Sequence, residues 1–259
     1  MKKKALLIGI DSYLPPNTLY ECVSDVTNMR DILIKYYGFE VDNIRVVTDA
    51  RATKQGILDR LHWLIQDAAL GDKLVFHYSG HGSQIRDLDS DERKDHLDEL
   101  ICPVDMTWDG NFITDDELAA FIKDVPANCL EVLMDCCHSG TMTRNSTTLP
   151  PTALKKMRFM RPPVDLQCRI DPDIDYDVKR FRKAIKGTVH MLFAACTDSQ
   201  TAADGAFTPA FCKHVRDTNG KIARRTLLSR IRATLRFNQF DQVPQLESDR
   251  DSKFKEVFS

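Results

Sequence analysis

The chain has 259 residues, 42% of them hydrophobic and 29% charged, which is enough to bury one large core or two small ones and too apolar for a disordered segment. Thirty-six Lys and Arg stand against 38 Asp and Glu for a formal net charge of -2, so the electrostatic basis for non-specific binding to nucleic acid or anionic lipid is missing. The cysteines are scattered with two adjacent, no apolar run spans a bilayer, and the stretch after Met1-Lys2-Lys3-Lys4 stops at Asp11 without a cleavage-site pattern; a soluble, reduced, cytoplasmic chain is expected.

In chain order, Ala5 to Ile10 predicts a strand buried on both faces, and Val23 to Tyr37 a helix. Asn43 to Thr48 predicts a second strand. Lys54 to Ala69 carries Ile57, Leu58, Leu61, Leu64 and Ile65 on one face behind a cap at Thr53, which predicts a helix. Lys73 to Tyr78 is a third strand, Asp115 to Lys123 a helix, Leu130 to Met134 a fourth strand, Thr188 to Ala194 a fifth, and Arg225 to Phe237 a final helix. Strands alternating with helices imply a mostly parallel sheet covered on both sides, with chemistry gathered at the carboxyl ends of the strands. Thr141 to Gly187 breaks this rhythm with Pro150-Pro151, Pro162-Pro163, Pro172 and many basic residues, and reads as a functional loop or a solvated linker.

Two strand ends carry reactive side chains. The third strand runs into Ser79-Gly80-His81-Gly82 and the fourth into Asp135-Cys136-Cys137-His138-Ser139-Gly140, with Cys137 56 residues after His81. An imidazole that manages protons beside a thiolate that attacks a carbonyl is sufficient for acyl transfer. Backbone N–H groups of Gly82 and Cys137 could then hold a developing oxyanion. Singly, each residue has a bland reading: a strand-end His is commonly a capping or surface residue, and a buried Cys an inert hydrophobe. Metal binding through His96, Cys102 and Cys129 lacks a recognisable ligand spacing.

The strings HYSGHGSQ and LMDCCHSG resemble the two catalytic motifs of the metacaspases and bacterial orthocaspases, the arginine/lysine-specific branch of the caspase-like cysteine peptidases. The resemblance extends through ALLIGIDSY, ECVSDVTNMRDIL, HLDELICPVD, ITDDEL, ACTDSQTAADGAFTPAF and VPQLE. It implies one caspase-like three-layer α/β/α domain over residues 1–259, with a large-subunit-like region to 145, a basic linker over 146–187 and a small-subunit-like region from 188. It assigns the catalytic histidine to His81 and the nucleophile to Cys137, leaving Cys136 a packing role and His138 outside the reaction. It places the side chain before the scissile bond near Cys22, Asp25, Ser79 and Asp135. Two carboxylates in one cleft require a cation between them, which fits a substrate arginine or lysine and excludes a caspase-type preference for aspartate.

The expected activity is therefore that of a monomeric cysteine endopeptidase acting on proteins or peptides after Arg or Lys, without a cofactor for the chemistry. A catalytically weak binding or scaffold module is the alternative. A basic, proline-interrupted linker makes self-cleavage an expectation, with Lys155, Lys156, Arg158 and Arg161 as the foremost sites. The resemblance also implies a calcium site at Asp98, Asp115 and Asp116, but its fourth ligand position holds Arg144, which reverses the charge. Calcium is accordingly expected to be dispensable, although Asp109 offers another oxygen and Asp115 and Asp116 equally suit the start of a helix.

Overall fold

The structure is a computed structural model that describes residues 1–86, 97–137, 156–163, 190–197 and 200–259. Five parallel strands form the centre of its main sheet: β1 (Lys3–Gly9), β2 (Ile44–Thr48), β3 (Lys73–Ser79), and, after three short strands, β7 (Leu130–Asp135) and β8 (Met191–Ala194). An antiparallel edge strand, β9 (Gln245–Glu247), completes the order β2-β1-β3-β7-β8-β9. The short strands β4 (Gly82–Arg86), β5 (Leu97–Ile101) and β6 (Ile113–Thr114) make a separate antiparallel sheet.

Alternation along β1 shows how the sequence builds three layers. Leu6 and Ile8 face a cluster with Ile57, Leu61 and Leu64 of α2 (Lys54–Ile65) and Leu118 of α3 (Asp115–Ile122). Ala5 and Leu7 face the opposite cluster, with Val26 and Met29 of α1 (Cys22–Tyr37), Phe207 and Phe211 of α4 (Phe207–Asp217), and Leu227 and Ile231 of α5 (Arg224–Phe237). Period-two burial on both faces is what a sheet sandwiched between helices demands. The expected α/β sandwich is the observed fold.

Three features depart from the sequence reading. Helix α2 ends at Ile65 rather than Ala69, because Gln66 leaves the helical region and Asp67 adopts a positive φ of 56°. Helix α4 was hidden by Thr208-Pro209, although proline in a first turn removes no intrahelical hydrogen bond. Strands β4 (GSQIR) and β5 (LDELI) carry too many polar and charged residues to read as buried strands, and β6 has only two residues.

At the amino end of β7, Glu131 is 2% exposed and takes a two-pronged contact from Arg224 of α5, Nε to Oε1 at 2.9 Å and Nη2 to Oε2 at 2.8 Å. Oε2 also accepts the Phe258 N–H at 2.9 Å, so one carboxylate ties sheet, helix and chain end together. Glu131→Ala would leave a buried guanidinium without its partner. The expected loss is about 3–5 kcal/mol of stability, measured by urea unfolding in a Cys137→Ala background.

Candidate active site

The parallel register sets the site. Gly9, Ser79 and Asp135 are Cα partners across β1, β3 and β7, so the three strands end level and Ser79 and Asp135 stand side by side. Gly9 lets α1 approach: a Cβ there would meet the Cys22 carbonyl oxygen at 2.5 Å. Asp11 accepts the N–H groups of Cys22 and Val23 at 2.9 and 3.2 Å, anchoring the start of α1. Asp25, one turn into that helix, then receives the Ser79 hydroxyl at 2.8 Å.

Arg158 fills the space between these acids. It is wholly buried, and its guanidinium makes four hydrogen bonds and three ion pairs. Nη1 contacts Asp135 Oδ2 at 2.7 Å and donates to the Asp135 carbonyl at 3.1 Å. Nη2 donates to Asp25 Oδ2 at 2.7 Å and Asp204 Oδ1 at 2.9 Å, and Nε reaches the same Asp204 oxygen at 3.2 Å. Burial opposes the charge of Arg158, but Asp135, Asp25 and Asp204 outweigh it and hold the guanidinium ionised. Burial likewise pushes Asp25 up, to about 7, against the pull of Arg158 and with repulsion from Asp135 adding to the rise. Asp135 Oδ2 is oriented from behind by the Thr208 N–H and hydroxyl at 3.0 and 2.7 Å, at the start of α4.

The Arg158 carbonyl oxygen lies at the other landmark. It accepts the Gly82 N–H at 3.0 Å and the Cys137 N–H at 3.1 Å. Backbone hydrogen bonds hold the flanking residues: Arg158 N–H donates to Ala202 at 2.9 Å, Asp204 N–H to the Lys156 carbonyl at 2.8 Å, and Met160 N–H to Gly82 at 2.9 Å. Met157 bridges Ala203 and Phe159 bridges Gly82, so partners hold the chain on both sides of the Arg158–Phe159 bond. The linker is therefore no solvated excursion over 156–160; it threads the cleft. Lys156 instead donates to the Thr18 carbonyl and lies over the Tyr20 ring, and Arg161 is exposed. Lys155 lies outside the described residues.

His81 sits beside this carbonyl on a rigid base. Its N–H donates to the Tyr13 hydroxyl at 3.1 Å, its carbonyl accepts the Tyr78 hydroxyl at 2.7 Å, and its ring meets Tyr13 edge-on at 4.6 Å. Gly80 permits this, since a Cβ would lie 2.7 Å from both hydroxyls. Imidazole Nε2 hydrogen-bonds the Asn17 carbonyl at 2.6 Å, which makes it the protonated nitrogen, and Nδ1 makes no hydrogen bond. Burial lowers the His81 pKa to about 4, with the Asn17 carbonyl opposing, so the ring is neutral at pH 7 and free to take a proton at Nδ1. Cys137 is fully buried, and its thiol donates to the Ala202 carbonyl at 3.3 Å while the Ala202 N–H donates to Sγ. No hydrogen bond joins thiol to imidazole in this arrangement. Cys136 points to the opposite face, in the core with Tyr78 and Cys102, where burial raises its thiol pKa.

Residues 3–145 match the family model of the metacaspase peptidase C14 domain. The chain belongs to the metacaspases. These are caspase-like cysteine peptidases. Metacaspase-1 of Schizosaccharomyces pombe is 33% identical to it over 290 residues, covering 95% of this chain and 67% of that protein. Metacaspase-1B of Neurospora crassa is 42% identical over 148 residues, covering 54% of this chain but 34% of its own length. The protein GSU0716 from Geobacter sulfurreducens shares the fold over the whole chain and 99% of its own, with a TM-score of 0.71 at 24% identity. Caspase-1 from Spodoptera frugiperda does so over 95% of this chain and 86% of its own, at 0.56 and 13%.

In this metacaspase the sequence-derived pocket residues converge: Asp25, Ser79 and Asp135 meet directly, and the Cys22 thiol lies 3.9 Å from Asp204 Oδ1. Sequence reasoning missed Asp204, Thr208, Tyr13 and Tyr78. All four lie inside quoted motif strings, but only their contacts reveal what they touch. Asp115 and Asp116 occupy the first turn of α3, capped by Thr114, where negative charge is favoured. The Asp98 side chain, Arg144 and His138 lie outside the described residues, and among the described residues no group of three His, Cys, Asp or Glu side chains is arranged to hold a metal ion. Asp109 stands in the turn before β6. Cys102 and Cys129 are core residues, and His96 lies outside the described residues.

Proposed function

We propose that this metacaspase is a cysteine endopeptidase that cuts after arginine or lysine through His81 and Cys137, and that it cuts itself between Arg158 and Phe159. The observation that carries the reading is the pose of Arg158, whose guanidinium lies among three carboxylates while its carbonyl accepts from Gly82 and Cys137. A substrate would present the same two features. His81 Nδ1 takes the thiol proton as the Cys137 sulfur attacks the arginyl carbonyl carbon, and the carbonyl oxygen takes its negative charge onto the two N–H groups. Collapse breaks the C–N bond, the leaving nitrogen receives a proton from His81, and a thioester remains. Water deprotonated by His81 then releases the carboxylate and restores the thiol.

The fit of the cleft to peptide chains, with a depth matched to one cationic side chain, supports protein or peptide substrates acted on by a single chain, and no nucleic acid or lipid. No helix among the described residues is long and apolar enough to cross a membrane, and seven described cysteines are buried. A cytoplasmic location is consistent with these thiols. The hydrolysis needs no cofactor, and the charge reversal at Arg144 supports independence from calcium; no step above passes through a metal.

Purified protein should release fragments whose masses end at Arg158 and begin at Phe159, and should hydrolyse an arginyl amide but not an aspartyl one. Rates in a chelator and in millimolar calcium should agree within about twofold. Cleavage of the aspartyl reporter, or identical nicking of a Cys137→Ala chain, would refute the reading. A tenfold rise with calcium would refute its metal clause.

A further inference from the structure

Asp204 meets the guanidinium where a lysine has nothing to offer. Its Oδ1 takes both hydrogens along one edge of Arg158, from Nε at 3.2 Å and from Nη2 at 2.9 Å. Nε–H belongs to arginine alone: a lysine places one ammonium near the depth of the guanidinium carbon and has only methylenes before it. Asp25 and Asp135, by contrast, contact the terminal nitrogens, which an ammonium partly imitates.

The carboxylate is held for this task. Oδ2 accepts the Tyr20 N–H at 2.9 Å, its own N–H donates to the Lys156 carbonyl at 2.8 Å, and Gly205, at φ 72°, packs so closely on Glu21 that a Cβ would lie 2.9 Å from its Cγ. Asp204 is 5% exposed at its side chain when Arg158 is seated, so water cannot substitute for a missing partner.

We infer that Asp204 is the residue that makes this pocket select arginine over lysine, by reading the Nε edge. The inference rests on the endopeptidase reading. A lysine in the same pocket would strip Asp204 Oδ1 of the paired Nε–H and Nη2–H donors and leave it only the weak Cys22 thiol at 3.9 Å. Rejection of a ligand that leaves a built polar group unpaired is typically stronger than rejection by shape.

The test compares kcat/KM for two peptide amides differing only in Arg or Lys before the scissile bond. Wild type should favour arginine by about tenfold or more. Asp204→Asn should reduce that ratio to below about threefold, through loss on the arginyl amide with the lysyl amide changed little. An unchanged ratio, or equal loss on both, would overturn the inference while leaving the endopeptidase reading intact. Failure of wild type to cleave either amide above the Cys137→Ala background would overturn both. Self-cleavage supplies a second measurement that does not need a folded Asp204 variant. An Arg158→Lys chain should cut itself at 158 about tenfold more slowly than wild type by intact mass, and an equal rate would overturn the inference.

Discussion

Cys137→Ala should lower kcat/KM on an arginyl amide by at least about 10⁴-fold and leave the chain intact by mass, while circular dichroism and thermal unfolding stay close to wild type. The thiol is the group whose bond to the substrate carbon defines the reaction. What remains without it is binding and the two amides of Gly82 and Cys137, which by themselves retain a small part of the rate enhancement. His81→Ala should cost nearly as much, because the two residues act in one step and their losses do not add. Cys136→Ala provides the contrast. Its side chain is 3% exposed in the cluster on the other sheet face, so it should lose on the order of 1 kcal/mol of stability and keep its activity. Activity retained by Cys137→Ala, or lost only in Cys136→Ala, would remove Cys137 from the role.

Asp135→Ala should weaken cleavage after arginine by about 2–5 kcal/mol, roughly 30- to 5,000-fold in kcat/KM, and Asp25→Ala by a comparable amount. Each removal leaves a guanidinium that is fully desolvated and short of a partner. Asp135 should be the costlier, since the Thr208 N–H and hydroxyl fix its carboxylate against Nη1. Asp25 adds a pH signature. With a guanidinium in place its carboxyl sits at about 7, raised first by burial and then by Asp135. The folded, occupied pocket therefore gains a proton as pH falls through that region, and its hold on the cation weakens. KM for an arginyl amide should rise from pH 8 to pH 6 in wild type and lose that limb in Asp25→Asn. For stability the sign is the same as for any raised carboxyl: between about 4 and 7 the folded state binds the extra proton, so the contribution of Asp25 falls as pH rises. Unimpaired arginyl turnover in either alanine variant would sink the acidic pocket.

The sequence by itself determined the layers and most of the site. The unbroken apolar run of Ala5–Ile10 and the period-3.6 pattern of Ile57–Ile65 are local properties, and they dictate which element is covered on both faces and which on one. His81 and Cys137 were legible because glycine-flanked turns follow two apolar runs, and strands of a parallel sheet end on one edge. Asp25 and Asp135 were legible through the resemblance to the metacaspases, which places both beside the side chain before the scissile bond. The sequence could not choose among Lys155, Lys156, Arg158 and Arg161, because composition treats four basic residues alike. Choice required knowing which residue brings its carbonyl to the amides of Gly82 and Cys137 while its side chain reaches the carboxylates. Only Arg158 among the described residues satisfies both. Asp204 was beyond reach for the same reason: it lies 179 residues from Asp25 in the chain, and its value depends on which edge of a guanidinium it meets. Period and turn chemistry act over a few residues and survive in the sequence; convergence of charges on one buried cation is a property of the packed chain alone.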